Sequence, residues 1–279
     1  MNIVEFTLLV VCGALAAGFL GALTGLGGGV IIVPLLALVF HVDIHYAIGA
    51  SLVSVIATSS GAAAAYVREG YTNIRVGMFL EIATTVGALV GAALVLRLHV
   101  SAIAVIFGFV LLYSAYMSIM QNPHETEEHG SDRMARLLRM DSTYPTATGF
   151  AGYHVAGVPL GFSLMFVAGV LSGLLGIGSG AVKVLAMDKV MKLPFKVSTT
   201  TSNFMIGVTA AAGAGVYLHR GYIDPGLAMP VMLGVLAGSM LGARILPEAK
   251  VRVLRVVFSV VIAGLAVEMI YNGFSGRLR

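Results

Sequence analysis

Residues 24–30 read TGLGGGV, in the middle of an apolar run that would otherwise form one long helix. Four glycines in seven positions are poor helix material. Lipid tolerates a broken backbone only where protein or a water-filled cavity covers it. A kink here lets the chain continue across the membrane; a turn sends it back. The fold depends on which occurs.

The rest of the chain shows that a membrane is the setting. Of 279 residues, 58% are hydrophobic and 11% charged, the composition of a polytopic membrane protein. Apolar stretches of spanning length fall at roughly 3–24, 47–67, 76–96, 100–120, 159–175, 197–218, 226–243 and 253–271. Shorter apolar pieces, 30–40 and 181–191, follow the first and fifth of these. The longest polar interval, 121–157, is too short for a core of its own. Cys12 is the single cysteine, which excludes an internal disulfide and a cysteine-based metal site. Ala14-Leu15-Ala16 has the look of a cleavage site, but Glu5 and no Lys or Arg precede it, so an uncleaved first helix is expected. The formal charge of +4 is read as topology, not as nucleic-acid binding.

Shifted by 151 positions, the chain aligns with itself without a gap from about residue 18 to 92. Gly25, Gly27 and Gly29 fall on Gly176, Gly178 and Gly180; Ser51 falls on Ser202 and Thr58 on Thr209; Tyr66, Gly70 and Tyr71 fall on Tyr217, Gly221 and Tyr222. Two related halves in a membrane protein point to a secondary transporter, with a channel built from a duplicated half as the rival.

Charge decides how the halves are oriented. If 3–40 were one kinked span, the 17 Lys and Arg, less Lys183 within the apolar region, divide eight against eight. If each glycine loop turns the chain back, one face holds Arg68, Arg75, Arg133, Arg136, Arg139, Lys189, Lys192, Lys196, Arg244, Lys250, Arg252 and Arg255. The other holds Arg97, Arg220, Arg277 and Arg279, so the division is twelve against four. The biased arrangement makes each half cross an odd net number of times. The expected fold is therefore an all-α polytopic membrane protein of two inverted repeats, each a glycine-broken helical hairpin plus three long transmembrane helices. Residues 1–120 form the first repeat and 158–279 the second. Residues 121–157 form a cytoplasmic linker with a short amphipathic helix around Arg133, Arg136 and Arg139. Both termini lie outside.

Residues 30–40 rise only about 16 Å as helix, roughly half the hydrocarbon thickness. The two turns would then meet near mid-membrane. Glycine lets backbone N–H groups face a ligand, and a following helix start adds partial positive charge. Gly27, Gly28, Gly29, Gly178, Ser179 and Gly180 are thus candidates for holding a small anion, close helix packing being the other reading. Lys183, deep in an apolar stretch, either supplies a fixed positive charge or snorkels to the headgroups. Asp188 sits at i,i+4 spacing from Lys192. Ser202 and Asn203, in the polar run 198–203, and Ser51 add hydroxyl and amide donors, or serve as helix caps and interhelical bonds. Glu81 is a candidate proton carrier, or a partner for Arg75 or Lys183. His41-Val-Asp43-Ile-His45 has metal-ligand residue types, but reads as a polar loop. No His-Glu-x-x-His helix, paired-Asp motif or glycine-flanked nucleophilic serine with an obvious partner is present, so no enzyme, metal or cofactor is expected.

The motifs Gly25-x-Gly27-Gly28-Gly29 with Pro34, Gly176-Ile-Gly-Ser-Gly180, Lys183, and KVSTTTSNFMIGVTAAAGAGVY at 196–217 resemble the TauE/SafE sulfite exporter family. The resemblance implies an exporter of small sulfur-containing anions, sulfite or organosulfonates, in the bacterial cytoplasmic (inner) membrane, built of two pseudo-symmetric halves. Its partners would be that anion and the lipid bilayer, and it is compatible with a homo-oligomer. An anion channel, or a transporter of a different small anion, is the alternative. Two positions depart from the family pattern: Ser179 replaces a glycine and Leu185 replaces a proline.

Overall fold

A computed structural model describes residues 3–24, 28–68, 70–95, 97–120, 132–146, 149–245 and 251–276. The first half contains α1 (Ile3–Thr24), α2 (Gly29–Pro34) running into a π-helical turn at Leu35–Val39, α3 (Ile44–Arg68), α4 (Ile74–Val95) and α5 (Val100–Met120). The linker carries α6 (Arg133–Leu137), β1 (Ser142–Thr146) and β2 (Gly149–Tyr153). The second half repeats the first: α7 (Val158–Leu175), α8 (Gly180–Leu185) with a π-helical turn at Ala186–Val190, α9 (Phe195–His219), α10 (Pro225–Ile245) and α11 (Val251–Ser275). The chain is a mostly helical, multi-pass membrane protein. Apolar windows within α1, α4 and α7 reach spanning length among the described residues. The other long helices have 21–25 residues, about 31–38 Å, enough for the hydrocarbon layer.

At each glycine turn the chain folds back on itself. The Phe6 ring meets the Phe40 ring edge-on at 5.6 Å, and Gly13 faces the Leu35 side chain. In the second half Gly161 faces Met191, and Gly157 faces the Val190 carbonyl. The π-helical turns recur at equivalent places, closed by Phe40 N–H on the Leu35 carbonyl and Met191 N–H on the Ala186 carbonyl. Pro34 precedes one and Leu185 the other, so the proline does not dictate the backbone there. Both turns end at a non-glycine residue with positive φ, His41 at 52° and Lys192 at 59°.

Small residues set the helix packing. Gly87 and Gly91 of α4 lie against the Phe166 and Val170 carbonyls of α7; Gly238 of α10 lies against the Leu15 carbonyl of α1, the equivalent place. Gly169 meets the Thr84 carbonyl as Gly18 meets that of Val235. Equivalent helices also pack on each other. Leu52 of α3 meets Gly213 of α9, and Ser59 meets Gly207; Gly108 of α5 meets Ala266 and Ile270 of α11, and Ser101 meets Gly273. In both pairs residue numbers rise on one helix as they fall on the other, so equivalents run antiparallel. At the bundle ends the His45 ring stacks on Tyr222 at 5.0 Å, and the equivalent Lys196 sits 3.9 Å above the Tyr71 ring.

The linker corrects the all-α expectation. Its helix is a single short turn, and a two-stranded antiparallel hairpin follows, pairing Ser142 with Tyr153 and Tyr144 with Ala151. Tyr144, Phe150 and Tyr153 favour strands, which the expectation of an amphipathic helix overlooked. Asn73 Nδ2 donates to the Met140 carbonyl (2.8 Å) and Tyr153 Oη (2.7 Å). Arg75 donates to the Arg139 carbonyl (3.0 Å), and Ala156 N–H to the Met191 carbonyl (3.1 Å). Ala135, Met140 and Val155 pack on Val76, Leu80 and Met187. The linker thus straps the start of α4 to the second half's π-helical turn. In the His41–His45 loop, Asp43 Oδ1 accepts from His45 N–H (2.8 Å) at the start of α3 and contacts its ring nitrogen at 2.9 Å. Among the described residues no three His, Cys, Asp or Glu side chains converge.

Two substitutions test this packing. Gly91→Val drives side-chain atoms into the Val170 carbonyl and should cost about 1–3 kcal/mol as an overpacked site. It should lower the thermal midpoint in detergent, whereas Gly215→Ala, with open space around it, should not lower it. Asn73→Ala removes both linker bonds and should expose the 142–153 hairpin to limited proteolysis at protease levels that spare the parent protein.

Candidate functional site

The two glycine turns meet. Ser51, fully buried on α3, donates its hydroxyl hydrogen to the Gly176 carbonyl at 2.7 Å, with the Gly29 carbonyl at 3.3 Å as a second acceptor. A Cβ on Gly29 would crowd both Val55 and Ser51 and stand 3.3 Å from the Gly176 carbonyl. Ser202, its counterpart on α9, reaches the Gly180 carbonyl at 3.4 Å. Gly178 lies against Ile206 and Val55, and Gly28 against Val235. Gly27 lies outside the described residues. Asn203 is half-buried and is not among the residues gathered at Ser51.

The second turn is left-handed at three of its positions, with φ of 69° at Gly176, 71° at Gly178 and 50° at Ser179. A left-handed serine is strained relative to glycine. Its equivalent, Gly28, has φ −68°, which any residue adopts. So the glycine stands where freedom is not used, and the serine where it is. Ser179 Oγ is buried without a hydrogen-bond partner. It lines a cavity with Gly180, Val182, Val30 and, from α5, Val110 and Ser114; the space suits about one water molecule.

Lys183 is fully buried, 0% exposed, so it does not snorkel. Its Nζ donates to Thr209 Oγ1 at 2.6 Å. The Thr209 hydroxyl in turn donates to Glu81 Oε1 at 2.7 Å, the shortest of its acceptor distances. Thr85 also donates to Glu81 Oε1, at 3.2 Å. Glu81 Oε2 is buried with no partner. A cation from α8 and a carboxylate from α4 are thus joined through one threonine of α9. A charge pair is tolerated in a low dielectric only when its members compensate each other in this way. Asp188 pairs with its neighbour Lys189 at 3.4 Å, away from this chain of contacts.

Sequence reasoning named Lys183 and Glu81 and noted Thr209 only as a repeat match. Thr85, one turn beyond Glu81, and Ser114 were missed. The Glu81–Thr85 spacing of four was the available signal for the first, since such residues share a helix face. Nothing in the sequence marks Ser114, because serine is common where membrane helices pack.

The chain as a whole is similar to known proteins. Over 276 residues the chain is 27% identical to the probable membrane transporter protein YunE of Bacillus subtilis (strain 168), covering 96% of this chain and 98% of that one. It is 28% identical over 228 residues to the probable membrane transporter protein YdhB of the same strain, covering 81% and 83%. A probable membrane transporter protein of Xylella fastidiosa (strain 9a5c) is 24% identical, covering 92% of each chain. No solved structure matches the chain significantly. The profile of the sulfite exporter TauE/SafE family matches residues 9–269, nearly the whole of both halves, and the chain belongs to that family.

Proposed function

We propose that the protein is a secondary transporter that exports a small sulfur-containing anion, sulfite or an organosulfonate, across the bacterial cytoplasmic membrane by alternating access. The observation that carries this reading is the meeting of the two glycine turns at Ser51, with a fully buried lysine one helical turn beyond Ser179. Gly27, Gly28, Gly29, Gly178, Ser179 and Gly180, with Ser51, Ser202, Asn203 and Lys183, form the binding region. Backbone N–H groups, hydroxyls and one ammonium suit an oxyanion. The one-water space beside Ser179 is too small for such an anion, so the halves must part to admit it. The antiparallel packing of α3 on α9 and of α5 on α11 supports an inverted repeat. With the charge bias, it supports a cytoplasmic linker and periplasmic termini. Glu81 is the candidate for proton coupling.

Purified protein should be stabilised against heat by sulfite, thiosulfate or a short sulfonate, and Lys183→Ala should weaken that binding more than tenfold, about 1.4 kcal/mol or more. Stabilisation by none of these anions, or by cations alone, contradicts the reading. In liposomes uptake should saturate and show counter-exchange; non-saturating flux identifies a channel. For topology, a cysteine introduced as Ser275→Cys in a Cys12→Ser background should react with a membrane-impermeant reagent in intact cells. Reaction only after permeabilisation places the C-terminus inside and overturns the inverted arrangement.

A further inference from the structure

The charges around Thr209 break the internal symmetry. Lys183 corresponds to Ile32 and Glu81 to Met232 in the 151-residue register, so the charge pair occurs once in a scaffold that occurs twice. Among the described residues Thr58, the counterpart of Thr209, bonds only within α3, to the carbonyls of Ser54 and Val55. The groups facing Glu81 are few. On α4 itself they are Thr84 and Thr85, on α9 Thr209 and on α8 Lys183; α7 has no ionisable side chain along its length. The ionisable residues of α9, Lys196, Tyr217 and His219, lie more than two turns from Thr209, and Arg75 of α4 is turned to the linker. One cation and one carboxylate therefore balance each other in a buried site.

Adding an anion to that site leaves a buried net negative charge, which a low dielectric penalises heavily. Adding an anion and a proton together restores neutrality. The geometry has a place for each. Oε1 of Glu81 holds both of its hydroxyl contacts while Oε2 has no partner, leaving one oxygen free to carry a proton. Once Glu81 is neutral, Lys183 Nζ and the Thr209 hydroxyl are free to serve another acceptor. Lys183 N–H bonds the Ser179 carbonyl, so its side chain starts one turn from the glycine motif.

We propose that the Glu81 carboxylate stands in for the transported anion in the empty site, and that the anion displaces it by taking up one proton with it. The paired ammonium and carboxylate, plus one anion and one proton, become an ammonium–anion pair and a neutral carboxylic acid. Anion and proton then cross together. This rests on the anion-transport reading above and adds its stoichiometry. For a monoanion the cycle moves no net charge, so its direction is set by the anion and proton concentration gradients together and not by membrane potential.

The test is proton uptake on binding, measured with the purified full chain in weakly buffered detergent. Ethanesulfonate, which has no titrating proton near neutrality, is the first probe, with thiosulfate and sulfite in parallel. Wild type should take up about one proton per anion bound, and its affinity should fall up to tenfold per unit rise in pH. Glu81→Gln, neutral at every pH, should bind at least as tightly, without proton uptake and with a flat pH profile. Anion binding by wild type without proton uptake, or weakened binding by a monodisperse Glu81→Gln protein, overturns the coupling and leaves the anion site standing. Absence of binding of all three anions to both proteins overturns the transport reading and the coupling with it.

Discussion

A helix interrupted inside a membrane has backbone groups that lipid cannot satisfy. In this chain part of that demand at the second turn is met from the first half. Ser51 carries its hydroxyl to the Gly176 carbonyl of the opposite half while lying beside that of Gly29, so one side chain ties the two turns together. The rest of the architecture follows from holding these turns together. Glycines let α4 lie on α7 and α10 on α1 at backbone contact, which keeps the outer helices close around the broken inner ones. Bulkier residues at those positions would widen the bundle and pull the turns apart.

Much of this was legible in the sequence for identifiable reasons. Long apolar stretches have few ways to end, so the long helices begin within three residues and stop within four of the expected limits, within the boundary error of any such reading. The repeat was legible because Tyr71 and Tyr222, or Gly70 and Gly221, keep their places in an ungapped register. What escaped depends on neighbours distant in sequence. Asn73 shows no sign of holding Tyr153, which is 80 residues away. The strand character of 142–153 was hidden by the arginine stripe before it. That Lys183 meets Glu81 through Thr209 could not be chosen over a pairing with Arg75, because the choice depends on how α4, α8 and α9 are set against each other.

The candidate site shows how a duplicated scaffold acquires chemistry that is not duplicated. Backbone features survive in both halves: the π-helical turns, the left-handed residues at His41 and Lys192, and the tyrosine contacts at either end. The polar chemistry does not. Lys183 and Glu81 have apolar counterparts, and Ser179 accepts a backbone strain that its glycine counterpart has no need of. The second half supplies the cation and the first the carboxylate, so the pair spans the two halves.

The linker carries a consequence of its own. Two identical halves exchanging roles would give two conformers of equal free energy, populated equally without substrate. The strap from Asn73 and Arg75 to Met191 exists on one face only. Each bond that persists in one conformer and breaks in the other tilts the resting ratio, by about tenfold for every 1.4 kcal/mol of difference. Under the alternating-access reading proposed above, the linker contacts would weight the equilibrium between the two conformers, and sequence changes there would retune the resting state without touching a proposed binding residue.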